Sequence, residues 1–97
     1  MKVYILCAHI ETKADLHRIL KTTLCFPEHY GSNLDGLFDC LTDLRKPVTL
    51  VLCDFSYLQE RLGDYAAKLV KVLENASAEN SQFSFAFEMA DVLVLEN

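Results

Sequence analysis

Hydrophobic and polar positions follow two periods along this chain, and the periods mark out its elements. Val3-Tyr4-Ile5-Leu6-Cys7 is a continuous apolar run rich in β-formers, the pattern of a strand buried on both faces. Thr12 and Asp15 have the spacing of a capping box. Leu16, Ile19, Leu20, Thr23 and Leu24 follow at helical spacing, which predicts a first helix over about residues 13–24. Phe26-Pro27 ends it, because the residue before proline is pushed out of the helical region. Pro27–Ser32 then reads as a loop in which Gly31 supplies unusual backbone angles. Asn33 is an N-cap for a second helix, with Leu34, Leu37, Phe38 and Leu41 along one face.

Pro47 introduces a second buried strand, Val48–Cys53. Asp54 or Ser56 is placed to cap a short third helix through Leu62, broken near Gly63. Asp64 opens a fourth helix with Leu69, Val70, Leu73 and Ala76 inward, and the polar stretch Ser77–Gln82 ends it. Phe83, Phe85 and Phe87 alternate with Ser84, Ala86 and Glu88, which predicts a strand with one apolar face and three core aromatics. Val92–Leu95 is a further apolar run, either a last strand or a C-terminal tail docked on the core.

Strands separated by helices imply a parallel sheet with right-handed crossovers. The expected class is α/β: a small parallel sheet of three strands with helices packed against it, and a possible extra strand at the C-terminus. Ninety-seven residues fit one domain over positions 1–97, and 52% hydrophobic residues supply a core without metal or disulfides. The apolar run near the N-terminus is shorter than a signal-peptide core of roughly 7–15 residues. Nothing approaches the ~20 apolar residues of a membrane span. A soluble cytoplasmic protein is the expectation. Neither a G-x-G-x-x-G nor a P-loop sequence is present, so nucleotide binding lacks its signature.

Charge changes this picture more than composition does. The net charge is −5 and unevenly spread. Glu28, Asp35, Asp39 and Asp43 make residues 26–43 wholly acidic, with no Lys or Arg between Lys21 and Arg45. Asp35, Asp39 and Asp43 fall four apart on the flank of the second helix. Like charges at that spacing destabilise a helix by about 0.2–0.5 kcal/mol per pair. Asp35 gains from the helix dipole and Asp43 loses by it. Such a surface repels phosphate backbones and steers toward a cationic partner. A solvated face that only confers solubility has the same pattern.

Cys7, Cys25, Cys40 and Cys53 lie in apolar contexts without a C-x-x-C pair, so buried reduced thiols are expected and a metal site is not. No cofactor is called for. His9 and His17 lack partner ligands in sequence and read as structural or surface residues.

The stretch Pro27-Glu28-His29-Tyr30-Gly31-Ser32-Asn33-Leu34-Asp35-Gly36-Leu37-Phe38-Asp39-Cys40-Leu41-Thr42 resembles the signature of the barstar family, intracellular inhibitors of the secreted ribonuclease barnase. Loop, cap, apolar stripe and both inner aspartates agree in register. The strand–helix layout agrees too; the likeness weakens after about residue 55, and Ala90–Asn97 looks like an extension. The resemblance implies a protein that inserts this loop and helix into the cationic active site of a basic secreted ribonuclease, as a monomer in a 1:1 complex. Carried over by position, Asp39 is the central phosphate mimic and Asp35 bonds a second part of the site. Gly31, Asn33, Leu34, Phe38 and Thr42 belong to the contact surface.

Departures from the family pattern lie at the rim. His29 stands where the family has a tyrosine, and Phe38 where it has a tryptophan. Asp43-Leu44-Arg45-Lys46 replaces a neutral aromatic stretch, and Asn75 replaces an outlying glutamate. These point to a partner nuclease other than barnase. Two other readings stay open. His29, Asp35 and Asp39 could form an acid–base group, though the aspartates sit on a helix flank with no neighbouring base. The same surface could serve an immunity or regulatory protein with a non-ribonuclease partner, because fold does not fix function.

Overall fold

In a computed structural model that describes residues 1–89, the Thr12 hydroxyl accepts from the Asp15 amide and the Asp15 carboxylate accepts from the Thr12 amide. The capping box therefore forms, and α1 runs Lys13–Leu24. Cys25 ends α1 in the left-handed conformation, φ 57°, just before Phe26-Pro27. Strands β1 (Lys2–Leu6), β2 (Val48–Cys53) and β3 (Phe83–Glu88) form one parallel sheet with β2 in the middle. Their register sets Val3 beside Leu50 and Leu50 beside Phe85. Helices α2 (Leu34–Thr42), α3 (Ser56–Leu62) and α4 (Asp64–Glu79) complete an α/β fold.

One face of the sheet carries the core. Ile5, Leu50, Leu52 and Phe83 meet Leu16 and Leu20 of α1, Leu37 and Leu41 of α2, Leu58 of α3, and Leu69 and Leu73 of α4 in a single apolar cluster. Burying each such side chain stabilises the fold by about 1.5–3 kcal/mol. Helix α2 packs on α4, which in turn packs on β3, so the core's burial energy is what seats α2.

Several expectations need correcting. β1 is not buried on both faces: Tyr4 and Leu6 are 51% and 49% exposed. It is an edge strand, and its core-cluster contacts lie on the Val3–Ile5 face only. Phe87 is 49% exposed rather than core. It rests on Phe55 and Phe85, with ring centroids 5.0 Å and 5.7 Å away. The N-cap position of α3 falls on neither Asp54 nor Ser56. Phe55 occupies the cap position, and the Asp54 carbonyl accepts from the Tyr57 amide at 3.1 Å. Helix α4 continues past Ser77 to Glu79, and Val70 is only half-buried. Cys25 is exposed, whereas Cys7 and Cys53 are buried and Cys40 is half-buried. Burial pushes the Cys7 thiol up to about 12, with Cys53 and Asp54 adding to the effect, so it stays protonated and unreactive. Val92–Leu95 lies outside the described residues.

Two polar devices tie the helices to the loops. The Arg61 guanidinium donates to the carbonyls of Ala8 (2.7 Å) and Ile10 (3.0 Å), holding the β1–α1 connection against α3. His17 on α1 is fully buried between two phenols: Nδ1 lies 2.6 Å from the Tyr30 hydroxyl and Nε2 2.7 Å from the Tyr65 hydroxyl. A neutral imidazole serves this bridge with one donor and one acceptor. Protonation turns both nitrogens into donors and displaces one phenol's hydrogen.

Burial accordingly holds the His17 imidazole below its ordinary value of 6.5. The unfolded chain then binds more protons than the folded one just below pH 6.5, so lowering pH destabilises the fold. The contribution is fully present above pH 6.5 and is lost as pH falls through the folded value. Urea unfolding between pH 8 and pH 5 should show stability declining below about 6.5, and His17→Gln should flatten that decline. A wild-type curve level from pH 7 to pH 5 would contradict the account. His17→Ala should cost about 1–3 kcal/mol for each phenol left unpartnered.

Candidate functional site

The acidic helix starts from a tightly folded turn. Asn33 is extended (φ −142°, ψ 171°), and its Oδ1 accepts from the Gly36 amide at 2.7 Å. Its Nδ2 donates back to the Gly31 carbonyl at 3.2 Å. The expected cap is therefore present, with a second bond that folds the loop onto the helix. Gly31 has a different role from the one expected. The left-handed residue of this loop is Ser32, φ 54°. Gly31 instead makes room: a Cβ there would lie 3.0 Å from Asn33 Nδ2. Gly36 does the same, with 3.3 Å to Asn33 Oδ1 and 3.6 Å to the Tyr30 ring. Tyr30 is buried under the loop, packed on Phe26 at 4.9 Å between centroids and bonded to His17.

Along α2, Leu37 and Leu41 are buried, while Leu34 and Phe38 are only half-buried. Part of the predicted core stripe thus belongs to the surface. Asp35, Asp39 and Asp43 are all exposed. The chain compensates the acids of residues 26–43 unequally. Glu28 lies 3.6 Å from Lys21, and Asp43 lies 3.9 Å from Arg45, both loose surface pairs. Among the described residues, the carboxylates of Asp35 and Asp39 have no ion pair and no hydrogen bond. Their field is felt locally: burial raises the Cys40 thiol, and Asp39 and Asp43 push it further in the same direction.

Asp39 stands on a ridge between two grooves. One, of about 300 Å³, is bounded by His29, Asp39, Asp43 and Leu44 over a floor that includes Phe26 and Cys40. The other, of about 370 Å³, is lined by Leu34, Asp35, Phe38 and Asp39 of α2 with Val72 and Asn75 of α4. The structure thus brings together His29, Asp39 and Asp43 on one side and Leu34, Asp35, Phe38 and Asn75 on the other. Thr42 stands apart: its hydroxyl donates to the carbonyls of Phe38 (2.9 Å) and Asp39 (3.1 Å), back into the helix.

His29 and Asp35 line different grooves, and no histidine–carboxylate hydrogen bond joins His29 to either aspartate among the described residues. An acid–base triple does not converge here. No group of His, Cys, Asp and Glu among the described residues is arranged to hold a metal, and no described helix is long and apolar enough to cross a membrane.

Two supports were invisible in the sequence pattern. The His17–Tyr30–Tyr65 bridge joins α1, the loop and α4. Asn80, just past α4, donates its amide to the carbonyls of Leu41 and Leu44, both at 3.0 Å. Asn at a helix end is a recognisable signal, but its partners lie 39 and 36 residues away.

Comparison with known proteins finds a matching family and a named relative. The model of the family described as "Barstar (barnase inhibitor)" matches residues 1–90. A protein of Bacillus subtilis (strain 168), named "Putative ribonuclease inhibitor YrdF", is 46% identical over 65 residues, a stretch covering 66% of this chain and 71% of that protein.

Carboxylates at the C-terminal end of α2 oppose both the helix dipole and each other, so neutralising them should stabilise the fold. Asp39→Asn and Asp43→Asn should each raise the unfolding free energy, by about 0.2–0.5 kcal/mol per removed repulsive pair, with the dipole adding to it at Asp43. Asn33→Ala should lower stability by about 0.5–2 kcal/mol through the lost cap. Chemical denaturation of the purified variants checks both signs.

Proposed function

The chain belongs to the barstar family, and from that footing we propose that it is a protein inhibitor of a ribonuclease, which it blocks by seating the loop and α2 in the enzyme's cationic active site. One observation carries this reading. Asp35 and Asp39, whose carboxylates have no ion pair or hydrogen bond among the described residues, are both exposed on the helix that the family resemblance assigns to the contact. Carboxylates kept free of internal partners stand ready for arginine, lysine or histidine of an enzyme that binds phosphates.

The roles follow from position. Asp39, shared by both grooves, is the central phosphate mimic, and Asp35 serves the second groove. Gly31, Asn33, Leu34 and Phe38 shape the contact around them, with Thr42 at its edge. His29, Asp43 and Asn75 form the rim and tune partner choice, directing the protein to a basic secreted ribonuclease that differs from barnase at the matching positions. The protein acts without catalysis, as a monomer in a 1:1 complex, and binds neither nucleic acid nor membrane itself. The unreactive Cys7 thiol and the free cysteines suit the reducing cytoplasm, where such an inhibitor protects the producing cell.

The test pairs capture with activity. Immobilised protein is used to retrieve secreted ribonucleases, and each, alongside barnase, is assayed for RNA cleavage with and without the inhibitor. Asp39→Ala should weaken inhibition by about 2 kcal/mol or more, roughly thirtyfold in Kd; barstar itself contributes the upper end of that scale, so it is carried over with the family. Added salt should slow association far more than it speeds dissociation. If Asp39→Ala inhibited as well as wild type, α2 would not be the plug. If no ribonuclease were inhibited while a different enzyme was bound and silenced, the protein would be an immunity factor for that enzyme.

A further inference from the structure

Helix α2 ends in an electrostatically poor position. Its last turn holds no basic residue, Asp43 is its C-cap, and Asp39 lies one turn back. The terminal carbonyls of such a helix need donors. The Thr42 hydroxyl serves Phe38 and Asp39, and the Asp43 amide serves Asp39 (3.1 Å) and Cys40 (3.3 Å). Within its own segment the Leu41 carbonyl receives a long bond from the Leu44 amide, 3.4 Å, and a share of the Asp43 amide already divided between Asp39 and Cys40.

Asn80 completes the set. Its Nδ2 donates at 3.0 Å to both Leu41 and Leu44. Asn80 is itself held on three sides. Its amide donates to Ala76 at the end of α4 (2.9 Å), its carbonyl accepts from Phe83 at the start of β3 (3.0 Å), and its Oδ1 accepts from the Gln82 amide (3.0 Å). The amide group is thus fixed to the α4–β3 junction and clamps residues 41–44. Asp43 and Leu44 of that segment wall the first groove beside Asp39.

We propose that Asn80 is a positioning residue of the acidic surface: by clamping the end of α2 it fixes Asp39 and Asp43 relative to the rest of the inhibitor, and so sets how slowly the complex with a ribonuclease dissociates. The proposal rests on the inhibitor reading for its consequence, but not for the clamp. Asn80 lines neither groove, so its action on the acidic surface runs through its bonds to α2.

Two measurements separate positioning from simple stability. The first needs no partner: amide hydrogen exchange in Asn80→Ala. The Asp43 and Leu44 amides should exchange faster by about tenfold relative to β2 amides, which report global unfolding. Equal acceleration at both places, or none at Leu44, overturns the clamp. The second uses barnase as the probe, or the ribonuclease inhibited in the assay above, with inhibitor concentration set by active-site titration so that only folded protein counts. Asn80→Ala should raise the dissociation rate about tenfold with association within about twofold. The same change made in Asp39→Ala should have a smaller further effect, because one of the two carboxylates it positions is gone. An unchanged dissociation rate, or full additivity with Asp39→Ala, refutes the positioning role. Should Asn80→Ala fail to fold, Asn80→Gln retains an amide on a longer arm and should lie between wild type and alanine in both readouts; wild-type values in both would refute the proposal. If wild type inhibits no ribonuclease, the inhibitor reading fails while the exchange experiment still decides the clamp.

Discussion

Repulsion between carboxylates one turn apart is the constraint around which this molecule is arranged. A nine-residue helix is too short to be stable alone in water, and α2 carries Asp35, Asp39 and Asp43 on its flank without a cation in its own sequence. Each like-charged pair costs about 0.2–0.5 kcal/mol. Burial of Leu37 and Leu41, both fully covered, contributes about 1.5–3 kcal/mol each. The apolar side of α2 therefore wins comfortably, and its polar side is free to hold charge that folding alone would not select. Stability is supplied from one face, and on the inhibitor reading the other is left for the partner.

The same division explains why so much of the polar bonding lies around α2 and so little on it. Asn33 closes the N-terminal end from within the loop, and Asn80 closes the C-terminal end from the α4–β3 junction. Gly31 and Gly36 let the cap approach closely, and Tyr30, held by His17, fills the space beneath. A loop and helix fixed this way lose little freedom on meeting a partner, and lost freedom is a main cost of association. Rigidity built by neutral groups leaves the carboxylates of Asp35 and Asp39 without a partner among the described residues.

What the sequence made legible follows distance along the chain. The Thr12–Asp15 box, the Asn33 cap, the α1 boundaries and the three parallel strands all rest on patterns within a few residues, and they stand as expected. Tyr4, Leu6 and Phe87 were misjudged because their exposure depends on which side of an edge strand the helices cover, and an apolar run does not encode that. Gly31 was misread because close approach to Asn33 and a left-handed turn both call for glycine. Asn80 and the partners of His17 were beyond reach for a simpler reason: their bonds span 13 to 48 residues, set by the tertiary fold. The acidic stripe is visible in the sequence, yet on charge pattern alone a solvated face is the better reading. Register with the barstar signature is what favours a binding surface.

The ion pairs then sort the acids in a way neither pattern nor resemblance foretold. Glu28 and Asp43 each have a basic neighbour, Lys21 and Arg45, at distances and exposures where the pairing is worth little. Such charges sit in water, are screened within about 10 Å at 0.1 M salt, and act on approach more than on the final contact. Asp39 differs in geometry. It borders both grooves, so a partner filling either one covers it, and a partner filling both removes it from water. A charge desolvated in that way is favourable only against well-placed donors and costly against anything else. On the inhibitor reading, outer acids govern how fast an enzyme is met, and the ridge aspartate governs which enzyme is kept.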